Sequence, residues 1–196
     1  MTRLEATRLI VDACPDAAIV ASLGHPAYDL FAAGARPRNF YTWGSMGLAS
    51  SIGLGIALAR PELNVIVLDG DGSLLMNLGS LATIGLLQPP NLTLVIMDNE
   101  LYATTGGQPT PTASGADLAA AAHAMRIADA VTVRTEPELV ARLKHRAPAS
   151  IERNASAEHP RFIVAKVTES KPTVKPPLDY VGIKQRFMTA IASRPC

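Results

Sequence analysis

The sequence predicts an α/β protein, one three-layer α/β/α domain built on a mainly parallel sheet. Three observations predict it. Short apolar, β-branched runs alternate with segments of helical periodicity along the chain, the pattern of parallel strands covered on both faces. Two of those runs, 65–68 and 92–97, stop abruptly at residues with oxygen-bearing side chains, as strands do where a parallel sheet meets a ligand crevice. Of the 196 residues, 48% are hydrophobic and only 18% charged, enough apolar material for a single substantial core.

Each element follows from local pattern. Residues 3–13 read as a helix, with Leu4, Thr7, Arg8 and Val11 at helical spacing, Leu9 and Ile10 widening the apolar face, and Pro15-Asp16 ending it. Residues 17–22 form a buried strand whose terminal turn is Gly24-His25-Pro26, and a short helix over 27–33 follows. Residues 40–42 are strand-like and lead into Trp43-Gly44-Ser45-Met46-Gly47. Residues 48–59 form a helix rich in small side chains, including Gly53 and Gly55. Glycine costs about 1 kcal/mol per helix-interior site relative to alanine, so two of them imply that another backbone or a partner helix packs closely there. After a turn over 61–64 come the strand 65–68, a helix over 77–87 stopped by Gln88-Pro89-Pro90, and the strand 92–97.

The second half continues the alternation. Residues 103–115, rich in Gly, Pro and Thr, form a loop long enough to be functional or disordered. An alanine-rich helix covers 117–125, with Asp117 near its positive end. A strand covers 130–133, and Thr135 caps a helix with Pro137 in its first turn. Residues 148–160 are a polar surface segment, 161–167 the last strand, 168–177 a Pro/Lys-rich crossing segment, and 180–192 a closing helix. No internal repeat and no domain boundary is visible, so residues 1–196 read as one domain.

Composition excludes several functions. A formal net charge of +1 gives no electrostatic support for nucleic acid or an acidic membrane as partner. The two cysteines, Cys14 and Cys196, form no CxxC pair, and no Cys/His cluster has zinc or iron–sulfur spacing. The chain begins without a signal-like apolar segment, and its longest apolar run, 47–59, is too short to span a bilayer. A soluble cytoplasmic protein is expected. No GxGxxG follows the first strand, which argues against a nicotinamide-type fold.

The chemistry concentrates at the two strand ends, Gly70-Asp71-Gly72-Ser73 and Asp98-Asn99-Glu100-Leu101-Tyr102, with 25 residues between Gly72 and Asp98. Glycines flanking Asp71 permit unusual backbone angles or close approach of the main chain to a ligand. Backbone N–H groups in such a turn cradle an anion, while the Asp71 carboxylate would repel a bare phosphate. A divalent cation between them resolves the conflict. Magnesium takes about six oxygens and commonly shares them between a carboxylate and substrate phosphates, and Asn99 adds an amide oxygen. A Gly-Asp-Gly alone is most often a simple turn; the second strand end gives it weight.

These residues resemble the cofactor motif of thiamine diphosphate enzymes, which runs from Gly-Asp-Gly to an Asn pair. The first Asn is Asp98 here, and Asn99 is in place. The stretches 44–55 and 98–108 resemble sulfopyruvate and phosphonopyruvate decarboxylases, and the likeness extends over roughly residues 17–167. The resemblance implies a thiamine diphosphate-binding (PP-type) fold, with magnesium held by Asp71, the Asn99 side chain and the backbone oxygen of Leu101. It implies that Gly70, Gly72, Ser73, Gly24, His25 and Tyr102 border the cofactor. It further implies that Gly44, beside Ser45, offers its carbonyl to the aminopyrimidine, and that Met46 props the cofactor into its bent shape, a task that suits an apolar, adaptable side chain. By composition alone Met46 would be a core methionine. His25 binds phosphate or substrate, or only caps a helix; the sequence leaves both open.

In such a family the chemistry is decarboxylation of a 2-oxo acid, sulfopyruvate- or phosphonopyruvate-like, to an aldehyde and CO2, with the cofactor as electron sink. Thr104, Thr105 and Gln108 border the substrate or simply form a polar turn. His25, Lys171 and Lys175 meet an anionic tail or are merely solvated. The activating Glu of the family lies in a pyrimidine-binding domain that nothing here resembles. The resemblance therefore implies a diphosphate-binding subunit with no catalytic residue of its own, active against an α-type pyrimidine-binding subunit in a hetero-oligomer with at least two copies of each chain. The helices over 48–59 and 77–87 are the expected contact faces. The alternatives are a subunit of an acetolactate synthase-like carboligase and a non-catalytic regulatory subunit. A 2-oxo acid:ferredoxin oxidoreductase is excluded, because two distant cysteines cannot ligate its clusters.

Overall fold

The structure is a computed structural model and describes residues 1–143, 159–171 and 173–192. Six strands, β1 (Ala18–Ala21), β2 (Asn39–Tyr41), β3 (Val65–Gly70), β4 (Leu92–Asp98), β7 (Asp129–Val133) and β8 (Arg161–Lys166), pair in the order β2-β1-β3-β4-β8-β7. Every pairing is parallel. Two short strands, β5 (Leu101–Tyr102) and β6 (Gln108–Pro109), form a separate antiparallel pair. The helices are α1 (Arg3–Ala13), α2 (His25–Ala32), α3 (Ala49–Ala59), α4 (Asp71–Met76), α5 (Ser80–Leu87), α6 (Leu118–Ala124), α7 (Glu136–Leu143) and α8 (Tyr180–Ala192). The expected polar segment lies outside the described residues up to 158, as does Cys196.

Strand periodicity divides the core in two. Ile66, Leu68, Val95, Met97 and Ile163 face one layer, with side chains of α1, α2, α7 and Ile183 of α8. Val65, Val67, Leu94, Ile96 and Phe162 face the other, with α3, α5 and α6. Burying one such side chain contributes about 1.5–3 kcal/mol, so a sheet buried on both sides carries most of the hydrophobic stabilisation. The chain leaves β1 toward β2 on one side and returns to place β3 on the other. That reversal opens a crevice beyond the carboxyl ends of β1 and β3, with β4 beside them through the register Gly70↔Met97.

Five local expectations are corrected. In α1 the buried face is Arg3, Ala6, Thr7, Ile10 and Val11: Thr7, Ile10 and Val11 fall on the expected face, whereas Arg8 is exposed and Arg3 lies inside. Arg3 can lie inside because acidic partners meet it there. The Gly70-Asp71-Gly72 stretch is not a free turn, because β3 passes directly into α4 at Asp71. The expected 77–87 helix is the shorter α5. In α3, the partner that Gly53 admits is the β3 side chain Val67, which a Cβ would strike, whereas Gly55 faces open space. Finally, 103–115 is ordered by the β5–β6 pair and by 3-10 turns at Ala103–Thr105 and Pro111–Ser114.

Candidate active site

The crevice gathers residues from six places in the chain: Arg3 in α1, Ser22 and His25 after β1, Met46 before α3, Gly70 to Ser73 at the β3–α4 junction, Asn99 after β4, and Leu101 to Thr105. Glycine geometry shows how closely these segments meet. Gly24 has φ +74, and a Cβ there would stand 2.6 Å from Thr104 Oγ1. Gly72 is helical, so its use is space rather than unusual torsion: a Cβ would run into the Tyr102 ring and lie 3.1 Å from Thr110 Cγ2. Ser73 is a hub. Its hydroxyl lies 3.0 Å from the Ser22 hydroxyl and accepts the Gly47 N–H at 3.0 Å, tying the 44–47 turn to α4.

Asp71 sits at the centre and is 1% exposed. Its Oδ2 accepts a hydrogen bond from the Thr110 hydroxyl at 2.5 Å, and the Thr112 hydroxyl lies 3.0 Å from the same oxygen. Among the described residues no basic side chain pairs with it. Burial pushes its carboxyl above the ordinary carboxylate range; the Thr110 hydroxyl opposes that and nearby Asp98 reinforces it. Asp98 differs, although it is equally enclosed. Its Oδ1 meets the Thr112 hydroxyl at 2.9 Å and the Glu100 N–H at 3.2 Å, and Lys166 Nζ lies 2.8 Å from its Oδ2. Asp98 and Lys166 are register partners on β4 and β8, so the sheet itself supplies that counter-charge. Asp69, fully buried behind the site, bonds the Gly70 N–H at 2.9 Å, and burial also raises its carboxyl.

On the far wall Asn99 Nδ2 donates to Glu169, while its Oδ1 accepts the Leu101 N–H at 3.3 Å. Glu169 also accepts from Arg3 Nη1 at 2.8 Å. Arg3 in turn bonds Asp29 through Nε at 2.5 Å and the Ser170 carbonyl at 2.8 Å. Arg3 thus lines the crevice from the first helix. Sequence reading missed it; a charged residue on the inner face of α1 is legible only once Asp29 and Glu169 are seen opposite. Thr110 and Thr112 were missed as well, because a Thr-rich loop offers no signal of which hydroxyls turn inward.

Of the expected site residues, His25, Met46, Gly70, Asp71, Gly72, Ser73, Asn99, Leu101, Tyr102, Thr104 and Thr105 line the crevice. Gly24 lies between lining residues in the chain, while Gly44 and Ser45 do not line the crevice and Gln108 is exposed on β6. Lys175 sits 5.3 Å above the Tyr28 ring, and Lys171 is exposed. His25 opens α2 rather than capping it, and the cap is Gly24. Its Nδ1 is buried without a hydrogen bond, 3.6 Å from Glu169 Oε2.

Burial, then the Arg3 charge, lower the His25 pKa below the usual 6.5, against the pull of Glu169. A base depressed in the folded state binds fewer protons folded than unfolded, so stability rises with pH across that window and is lost as pH falls below about 6.5. We expect melting temperature to drop on acidification from pH 7 to 5, with a shallower drop in His25→Gln. Equal slopes in the two proteins would remove His25 from this role.

Comparison with known proteins bears on the same residues. Residues 26–164 match the family described as the thiamine pyrophosphate enzyme, C-terminal TPP binding domain. The chain is 42% identical over 174 residues to the sulfopyruvate decarboxylase subunit beta of Methanocaldococcus jannaschii, covering 88% of this chain and 87% of that one. It is 39% identical over 194 residues to the sulfopyruvate decarboxylase subunit beta of Methanococcus maripaludis, covering 97% and 98%. The solved thiamine diphosphate-dependent 4-hydroxybenzoylformate decarboxylase of Rhodococcus jostii RHA1 matches with a TM-score of 0.66 at 18% identity, over 87% of this chain and 33% of that one, a likeness of fold.

Proposed function

This chain belongs to the thiamine diphosphate-dependent decarboxylases, and from that membership we propose that it is the diphosphate-binding subunit of a two-subunit, magnesium-dependent enzyme. Its substrate would be a 2-oxo acid of the sulfopyruvate or phosphonopyruvate kind, released as an aldehyde and CO2. The observation that carries the cation is the contrast between two buried carboxylates: Lys166 answers the charge of Asp98, and nothing basic among the described residues answers Asp71. A buried carboxylate without a counter-charge is costly, and a divalent cation removes the cost. The remaining donors, the Asn99 amide oxygen and the Leu101 carbonyl, are neutral. One carboxylate with neutral oxygens suits magnesium, whose other positions go to diphosphate and water.

When bound, thiamine diphosphate supplies the carbon nucleophile and the electron sink for loss of CO2. The chain's own residues bind and orient it. The missing Cβ at Gly72 leaves Tyr102 close against α4, and Met46, on the crevice wall, would offer the cofactor apolar support. His25, Thr104 and Thr105 border the space where the substrate would sit.

An α-type pyrimidine-binding partner would supply the activating carboxylate. Both relatives are named as beta subunits, which supports a partner. The outer sides of α3, α4 and α5 leave Leu58, Met76, Leu86 and Leu87 exposed, Leu86 at 72%, and an apolar surface of this kind favours association.

The test is activity with and without a co-expressed pyrimidine-domain chain, in magnesium and thiamine diphosphate, on sulfopyruvate and phosphonopyruvate. We expect aldehyde and CO2 only with both chains present. A full rate from this chain alone would defeat the two-subunit reading, and acyloin from pyruvate would instead identify a carboligase.

A further inference from the structure

We infer that Thr110 and Thr112 are positioning residues that lock the segment carrying Asn99 and Leu101 onto Asp71, an inference that rests on the reading of Asp71 as the magnesium carboxylate. After β4 the chain runs through Asn99 and Leu101, turns back at β6, and returns to Asp71 at Thr110. Three links close this flap. The Thr110 N–H donates to the Glu100 carbonyl at 2.9 Å, Leu101 pairs with Pro109, and the two threonine hydroxyls reach the carboxylates of Asp71 and Asp98. Thr110 is 2% exposed and Thr112 5%, so neither hydroxyl has water as an alternative.

Proton counting assigns the roles. Four short contacts join four groups: Thr110 to Asp71 at 2.5 Å, Thr112 to Asp71 at 3.0 Å, Thr112 to Asp98 at 2.9 Å, and Thr110 to Thr112 at 2.8 Å. Two hydroxyls hold two protons. With both acids ionised and each hydroxyl donating to its nearer carboxylate, Thr110 serves Asp71 and Thr112 serves Asp98, and the other two contacts carry no proton. Asp98 then has a hydroxyl, a backbone N–H and the Lys166 ammonium. Asp71 has one hydroxyl and the Gly72 N–H, both neutral donors, and keeps the charge a cation needs. The threonines therefore hold Asp71 at a fixed angle without neutralising it, and they anchor the flap bearing the two neutral magnesium ligands to the carboxylate that must share the ion with them. Outer hydrogen bonds of this kind typically set metal affinity by about 10–100-fold.

The experiment compares Thr112→Val, Thr112→Ser, Thr110→Val and the unaltered full chain, co-expressed with its partner where assembly requires it. Calorimetry measures thiamine diphosphate affinity in magnesium, and amide hydrogen exchange follows residues 99–112 without ligand. We expect each valine variant to weaken affinity about tenfold or more and to speed exchange across the flap. Thr112→Ser should stay within about threefold of the unaltered protein on both readouts. A role in packing alone predicts the reverse order, with valine tolerated and serine harmful, and that result would overturn the inference, as would unchanged affinity in both valine variants. If the unaltered chain binds no cofactor while the valine variants still loosen the flap, the anchoring stands and the functional reading falls. Should one valine variant fail to fold, the other valine variant and the serine variant still decide.

Discussion

Asp71→Asn is expected to abolish magnesium-dependent cofactor binding while leaving the fold intact. Asn is nearly isosteric and still accepts the Thr110 hydroxyl, so the links that hold the flap survive. What disappears is the one carboxylate in the crevice with no basic partner among the described residues. Changes to groups that merely support a metal ligand cost about 10–100-fold in affinity, so loss of the charged ligand itself should cost at least about 100-fold. Stability should move the other way. Without magnesium, a buried, uncompensated carboxylate destabilises the folded state, so the variant should melt no lower than the unaltered protein. Calorimetric titration and thermal melts with and without magnesium check both halves. Retained magnesium-dependent binding in Asp71→Asn would remove Asp71 from the metal site.

Arg3→Met should produce the largest loss of stability. Arg3 is 3% exposed and its partner Asp29 is fully buried, with 2.5 Å between Nε and Oδ2. Removing one partner of such a pair leaves the other buried and uncompensated, at about 3–5 kcal/mol. For a chain of this size that corresponds to a fall in melting temperature on the order of 10 °C. The double variant Arg3→Met/Asp29→Asn should recover much of the loss, because a neutral amide costs far less inside than a lone carboxylate. Urea denaturation of the four proteins of the cycle measures the coupling. A single-variant loss below about 1 kcal/mol would mean that Arg3 is an ornament of α1. Because Arg3 also holds Glu169, which accepts from Asn99, Arg3→Met should weaken cofactor affinity as well.

The strands were legible because the sheet is buried on both faces. Runs such as 65–68 and 92–97 must be apolar at every position, and each stops where the polypeptide leaves the sheet. The pairing of β3 with β4 followed from two such runs ending in side-chain oxygens, and Asp71 and Asn99 do face one crevice. Local pattern failed where the neighbour that explains a residue is distant. Gly53 reads as a place where another backbone or a partner helix packs closely, and the neighbour is instead the Val67 side chain. Gly72 reads as a turn residue, yet it opens a helix and is needed because Tyr102 lies over it. Arg3 reads only as the start of a helix, and it is internal because Asp29 and Glu169 arrive from 26 and 166 residues away.

The amino-acid sequence by itself therefore determined the α/β class, the two strand ends that hold the candidate site, and a motif dense enough to identify the cofactor. These are properties of consecutive residues, because periodicity and turn chemistry act over a few positions. Only the tertiary structure decided which of the two buried aspartates meets a basic side chain among the described residues. Asp98 and Asp71 are alike in sequence, each at the end of an apolar run, Asp98 closing β4 and Asp71 following β3. What separates them is that β8 lays Lys166 beside one and the returning flap lays two neutral threonine hydroxyls against the other. Charge compensation depends on what is within about 4 Å in space, and that is set by packing.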